Sequence, residues 1–279
     1  MRRKFIIGDW KMHTNADEAG QLARDVAEGL EMGKRVYVGI CPPLPYLALV
    51  GVNIKGSQVS LGAQNLSPEK EGAFTGEVSP TMLHDLGCTF VILGHSERRH
   101  KLGESDAFIN RKVHVALDAG LDVILCVGET LQQREANQTS EVLESQIILG
   151  LAALSSASLR QLSIAYEPVW AIGNTGHQPA PRQAEEEHIV IRDSVARMFG
   201  EASQSVVIQY GVSVEPENAA ALLVQPNVNG GLNGEASLKA DEFLAIVQDG
   251  NRTNVNRGKS DIKGIPLLPC QVQARPRRL

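Results

Sequence analysis

The chain has 279 residues, of which 43% are hydrophobic, 21% charged and 4% aromatic, with a formal net charge of -5. This mix excludes a disordered or collagen-like chain, and the mild acidity excludes a nucleic-acid footprint spread over the whole surface, so no nucleic-acid partner is expected. The apolar stretch from Tyr46 to Val52 is far below the ~18 to 20 residues of a membrane span, and Phe5, Ile6 and Ile7 are too few for a signal-peptide core; no membrane association and a cytoplasmic location are expected. Cys41, Cys88, Cys126 and Cys270 lie far apart without C-x-x-C spacing, which points to buried free thiols and to no bound metal.

Short runs rich in β-branched residues recur along the chain at Phe5 to Trp10, Val36 to Ile40, Val59 to Gly62, Phe90 to Leu93, Val123 to Val127, Ser163 to Glu167, Val206 to Tyr210 and Val228 to Leu232. Each reads as a strand buried on both faces. Between them, spacings such as Leu143, Ile147, Leu151 and Leu154 place apolar groups on one helix face. Eight strands alternating with eight helices force parallel pairing, and within ~250 residues they fit a closed α/β (β/α)8 TIM barrel better than an open doubly wound sheet. No G-x-G-x-x-G follows the first strand, which removes the main positive sign of a dinucleotide fold and of its cofactor.

The barrel is expected over residues 1-250, with 251-279 a basic extension. That last stretch sets Arg252, Arg257, Lys259, Lys263, Arg275, Arg277 and Arg278 against Asp261, carries three prolines and lacks apolar periodicity. It reads as a disordered tail.

In such a barrel the chemistry belongs at the C-terminal ends of the strands. Those ends carry Asp9 and Lys11, Gln64 and Asn65, His95 to Glu97, Glu129, Glu167, Ser213, and Gly234 with Glu235. Each has an ordinary role as a cap or turn residue, but together they form a coherent set. Backbone N-H groups of Gly173, Ser213 and Gly234 can converge on a phosphate, so the substrate is expected to be a small phosphorylated molecule. Glu167 can take a proton, His95 at a helix start can donate to a carbonyl, Lys11 supplies positive charge, and Glu97 is counted with them as catalytic. That is equipment for enolisation, which needs neither nucleophile nor metal.

The segments Gly94-His95-Ser96-Glu97-Arg98-Arg99, Ala165 to Gly173, Gly62-Ala63-Gln64-Asn65, Gly72 to Glu77 and Trp10-Lys11-Met12 closely resemble the triosephosphate isomerase family, in register from about residue 4 to about 248. The resemblance implies a cofactor-independent (β/α)8 homodimer that interconverts glyceraldehyde 3-phosphate and dihydroxyacetone phosphate. It also implies Glu167 as base, His95 as electrophile, Lys11 as electrostatic partner, and Gly173, Ser213, Gly234 and Glu235 as phosphate binders. Thr75, in the loop that inserts into the neighbouring subunit, becomes a dimer contact near the other subunit's Lys11.

The chain departs from the family pattern around the phosphate. It has Asp9 where Asn is usual, Val212 within the usual Gly-Gly-Ser turn, Asn233-Gly234-Glu235 for Val-Gly-Gly, and a lid from Gly173 to Pro179 that is one residue longer. Pro179 falls where the lid would donate an N-H to Tyr210, and proline has none. Asp9 and Lys11, two apart on a strand, are expected to aim together into the site as substrate-binding groups. The alternative reading is a divergent barrel acting on a related ketose such as a tetrulose phosphate, or a non-catalytic phosphate-binding protein.

Overall fold

In the computed structural model, residues 2-31, 36-173 and 179-257 are described, with side chains to residue 253. The eight apolar runs form strands β1 (Phe5–Asp9), β2 (Tyr37–Cys41), β3 (Val59–Ala63), β4 (Phe90–Leu93), β5 (Asp122–Val127), β6 (Leu162–Tyr166), β7 (Val207–Tyr210) and β8 (Gly230–Asn233). Every neighbouring pair is parallel, and β8 closes on β1 with Phe5 opposite Gly230. The expected closed barrel is what forms. β8 starts two residues later than the apolar run, although Asn229 already bridges its neighbours, its N-H donating to Ile208 O of β7 at 2.7 Å and its O accepting from Phe5 N-H of β1 at 3.0 Å.

Alternation along each strand builds two cores. Ile7, Phe90, Ile92, Ile124, Ala165 and Leu232 fill the barrel interior. The outward residues, such as Ile6, Val38, Leu125 and Ile164, pack beneath the surrounding helices. Both faces are therefore buried, which is why the strands read as continuous apolar runs.

The helices are α1 (Ala16–Gly29), α2 (Leu47–Asn53), α3 (Pro80–Asp85), α4 (Ser96–His100), α5 (Asp106–Asp118), α6 (Leu131–Glu135), α7 (Thr139–Gly150), α8 (Pro181–Phe199), α9 (Pro216–Leu223) and α10 (Ala240–Arg257). The described residues thus hold ten α-helices rather than eight. The two extra ones, α4 and α6, are five-residue helices at the ends of β4 and β5, too short to show apolar periodicity and started by caps. The His95 side chain caps α4, and Thr130 with Gln133 forms a capping box on α6. The longer helices begin at ordinary signals, with Asn15 and Glu18 forming a capping box on α1 and Pro181 opening α8.

Helix α10 continues to Arg257, past Gly250 where the composition changes. The first part of the expected tail, residues 251-257, is therefore helical. Residues 258-279 lie outside the described residues. Cys41, Cys88 and Cys126 are buried free thiols, as expected; burial pushes Cys88 up to about 12, while Cys270 is not among the described residues.

The Phe90 ring crosses the barrel over two glycines. A Cβ at Gly62 would stand 2.3 Å from it and 2.7 Å from Cys41 Sγ. Gly62→Ala should therefore cost about 1-3 kcal/mol through overpacking, read from the denaturation midpoint; an unchanged midpoint would mean that the ring is free to move aside.

Candidate functional site

The rim residues converge on one cavity of about 560 Å³ at the C-terminal ends of the strands. Asp9, Lys11, His95, Glu97 and Glu167 line one part of it, and Gly173, Ser213, Gly234 and Glu235 another. Thr75 lies apart, in the exposed loop after β3.

Glu167 follows β6 and is only 1% exposed. Its burial beside two neighbouring strands depends on glycine. A Cβ at Gly128 would fall 1.8 Å from Glu167 O, and one at Gly211 would fall 2.7 Å from Glu167 Cγ. The carboxylate is met by the start of α4, where Ser96 N-H donates to Oε2 at 2.8 Å. Oε1 lies 3.0 Å from His95 Nε2 but off hydrogen-bond geometry, and so is a buried acceptor without a hydrogen-bond partner among the described residues.

His95 Nδ1 accepts Glu97 N-H at 3.2 Å. An accepting Nδ1 carries no proton, so this bond assigns the proton of the neutral ring to Nε2, facing the cavity. Nε2 stands 3.5 Å from Asp9 Oδ2 as well as 3.0 Å from Glu167 Oε1. The ring is therefore held at one nitrogen and presents a donor with the other.

Lys11 reaches the cavity by a different route from the one its spacing suggests. β1 ends at Asp9, and Lys11 takes a left-handed backbone with φ of 50°. Two side chains hold that turn. Asp9 Oδ1 accepts Lys11 N-H at 3.0 Å, and Gln64 Nε2 donates to Lys11 O at 2.8 Å and Cys41 O at 2.9 Å. The ammonium pairs with Glu97 Oε1 at 2.9 Å rather than with Asp9. Burial alone would lower the Lys11 pKa, but the Glu97 hydrogen bond and charge, with Asp9 and Glu167, outweigh it and hold the ammonium above its ordinary value of 10.5. Burial likewise pushes Glu97 up, and Lys11, together with His95 and Lys101, more than reverses this, leaving Glu97 below its ordinary 4.5.

The opposite side of the rim is braced by Glu129, which is fully buried. It accepts from Tyr166 Oη, from Trp170 Nε1 at 2.8 Å and from Arg134 Nη1 at 3.0 Å, and so anchors the segment leading to Gly173. Residues 174-178, the core of the expected lid, lie outside the described residues. The Tyr210 hydroxyl is buried without a hydrogen-bond partner among the described residues, and Val212 is buried in the cavity wall. The bracing roles of Gln64 and Glu129 escape a reading of the sequence, where they are only polar residues at strand ends. Among the described residues, no group of three or more His, Cys, Asp or Glu side chains is placed to hold a metal ion.

A family model described as Triosephosphate isomerase matches residues 4–250. The chain is 49% identical over 249 residues to a protein of that name from Carboxydothermus hydrogenoformans, covering 89% of this chain and 99% of the relative. It is 50% identical over 247 residues to one from Treponema denticola, covering 88% and 98%, and 48% identical over 248 residues to one from Rhodopirellula baltica, covering 88% and 97%.

The Lys11–Glu97 pair gives a signed pH prediction. Glu97→Gln removes the largest group raising the Lys11 pKa and leaves burial to lower it. The alkaline fall of kcat/KM should then move to lower pH than in the wild-type protein, since the ammonium is lost earlier as pH rises. An alkaline limb that stays in place would show that Lys11 charge does not depend on Glu97.

Proposed function

The chain belongs to the triosephosphate isomerase family, and from that premise we propose how its own residues divide the isomerisation of glyceraldehyde 3-phosphate and dihydroxyacetone phosphate. Glu167 Oε1 takes the proton from the carbon beside the substrate carbonyl, and the C-H electron pair forms the carbon-carbon double bond of an enediolate. His95 Nε2-H gives its proton to the oxygen that becomes negative and takes back the proton of the adjacent hydroxyl, so that this second oxygen becomes the new carbonyl as the proton held by Glu167 goes to the neighbouring carbon. Lys11 offsets the charge of enediolate and phosphate, with Glu97 fixing the ammonium. Gly173, Ser213, Gly234 and Glu235 offer backbone N-H groups to the phosphate, and the Glu235 side chain turns away from it. No cofactor enters these steps.

The observation that carries this assignment is the unbonded, buried Oε1 of Glu167, 3.0 Å from the His95 nitrogen that bears the proton. A buried acceptor without a donor is costly unless something else occupies the site. Glu167→Gln should leave the fold intact and lower kcat by at least about 100-fold, because an amide is not a base at neutral pH. A variant keeping a tenth of the wild-type kcat would reject Glu167 as the base.

Two further proposals concern setting. The chain acts as a homodimer in the cytoplasm. Support for the dimer comes from the exposed loop after β3, where Phe74 is 47% exposed beside Thr75, and from Met12, which is 94% exposed. Among the described residues, no helix is long and apolar enough to cross a membrane.

Asp9 is the departure with the clearest kinetic consequence. Its carboxylate, 5% exposed, faces the reacting end of the cavity. Its hydrogen bond from Lys11 N-H can equally be accepted by an amide oxygen, so Asp9→Asn keeps the turn and removes a negative charge. At ~6 Å from a phosphate charge and an effective dielectric of ~20, that charge costs about 3 kcal/mol before screening and before Lys11 offsets part of it. Asp9→Asn should raise kcat/KM by about tenfold in steady-state assays at one ionic strength. An unchanged or lower value would mean that the carboxylate serves the substrate.

A further inference from the structure

The N-terminal end of the barrel, opposite the isomerase cavity, holds a second cavity of about 350 Å³, within the range of small-molecule sites. Its origin is an asymmetry in the barrel filling. The Phe90 ring lies against the backbone of Gly39 and Gly62, where an added Cβ would stand 2.7 Å and 2.3 Å from it. By filling the β2–β3 side, the ring leaves the β5–β7 side to Ile124, Ser163 and Val207, which do not close it.

The lining has three chemically distinct levels. Aromatic walls come from Phe90 and from Tyr37, whose ring packs on Phe5 with centroids 4.7 Å apart and edge-on to Phe90 at 6.1 Å. At the inner end, Ser163 Oγ accepts from Gln209 Nε2 at 3.1 Å and donates to Val123 O at 3.4 Å, which leaves one lone pair for a further donor. Behind it, Gln209 Oε1 is fully buried without a hydrogen-bond partner among the described residues. At the mouth stand Arg3, with its guanidinium carbon 5.2 Å from the Tyr37 ring centre, and the exposed Arg160. Among the described residues neither guanidinium is in an ion pair, and Asp122 is the one acid among the lining residues.

We propose that this cavity binds a small planar aromatic anion carrying a hydrogen-bond donor, its ring between Phe90, Tyr37 and Val207, its donor on Ser163 and its anionic group at Arg3 and Arg160. Aromatic faces favour a flat ring. A guanidinium favours an oxyanion, and two of them outweigh the single carboxylate of Asp122. The site is separate from the isomerase cavity and shares no lining residue with it.

Indole-3-acetate, which has a ring N-H and a carboxylate, is a suitable probe. Its binding to the full chain is measured by titration calorimetry with saturating inorganic phosphate, which occupies the anion-binding end of the isomerase cavity. The expected result is one saturable site per chain, with a Kd of about 1 mM or tighter. Val207→Phe, which fills the cavity, should weaken binding at least about tenfold. The exposed pair Arg3→Ala/Arg160→Ala should weaken it about fivefold while leaving neutral indole unaffected. The arginine variant keeps the test decisive if Val207→Phe fails to fold. Absence of saturable binding, abolition of binding by phosphate, undiminished affinity in a folded Val207→Phe, or equal losses for indole and indole-3-acetate in the arginine variant would each overturn the proposal.

Discussion

A carboxylate sealed from water must be met by donors, and at the top of this barrel the donor is a helix end: Ser96 N-H holds Glu167 Oε2 at 2.8 Å. Much of the surrounding architecture follows from that contact. It ties the end of β6 to the start of α4, two strands away, so the relative positions of Glu167 and His95 are set by one short link rather than by long loops. Gly128 and Gly211 clear the space that the Glu167 backbone and side chain occupy. The same helix start uses His95 as its cap, which fixes the ring through Nδ1 and turns Nε2 inward. One oxygen of the carboxylate is spent on structure, and the other is left for chemistry.

The second constraint is charge. Asp9, Glu97, Glu167, Glu215 and Glu235 share the cavity with Lys11 and Lys101, an acidic setting for a phosphorylated substrate. Pairing relieves part of it, with Glu97 taken up by Lys11 and Asp9 by a backbone N-H. Lys11 is itself held in a left-handed conformation that costs roughly 1-3 kcal/mol in a non-glycine residue, and Asp9 and Gln64 stabilise it from either side of the peptide. Strain and charge thus meet at the same turn, where Asp9 supplies both the acceptor that holds the Lys11 backbone and a carboxylate that lines the cavity.

The fold was legible because its strands are buried on both faces, and continuous apolar runs survive as a signal without any alternation. Five-residue helices such as α4 and α6 are shorter than two turns, so they are announced by caps alone. The segments around His95 and Glu167 were legible as motifs, and the structure brings them into one cavity. The path to Lys11 was not: two-residue spacing put it on the strand, whereas the strand stops at Asp9 and a strained turn delivers the side chain. Gln64 reaches Lys11 across 53 residues of sequence and Glu129 reaches Trp170 across 41, separations to which local pattern is blind. At the C-terminus, composition changes at Gly250 although helix α10 continues to Arg257, because a helix needs no apolar periodicity in its last turns.

The central claim is that one base, placed on one side of the substrate carbon, moves the proton. Incubating dihydroxyacetone phosphate with the protein in D2O and following the C1 hydrogens by proton NMR tests it without a coupled enzyme. A single base held beside His95 should exchange one of the two prochiral hydrogens and leave the other untouched. Exchange of both hydrogens at comparable rates, or of neither, would contradict it.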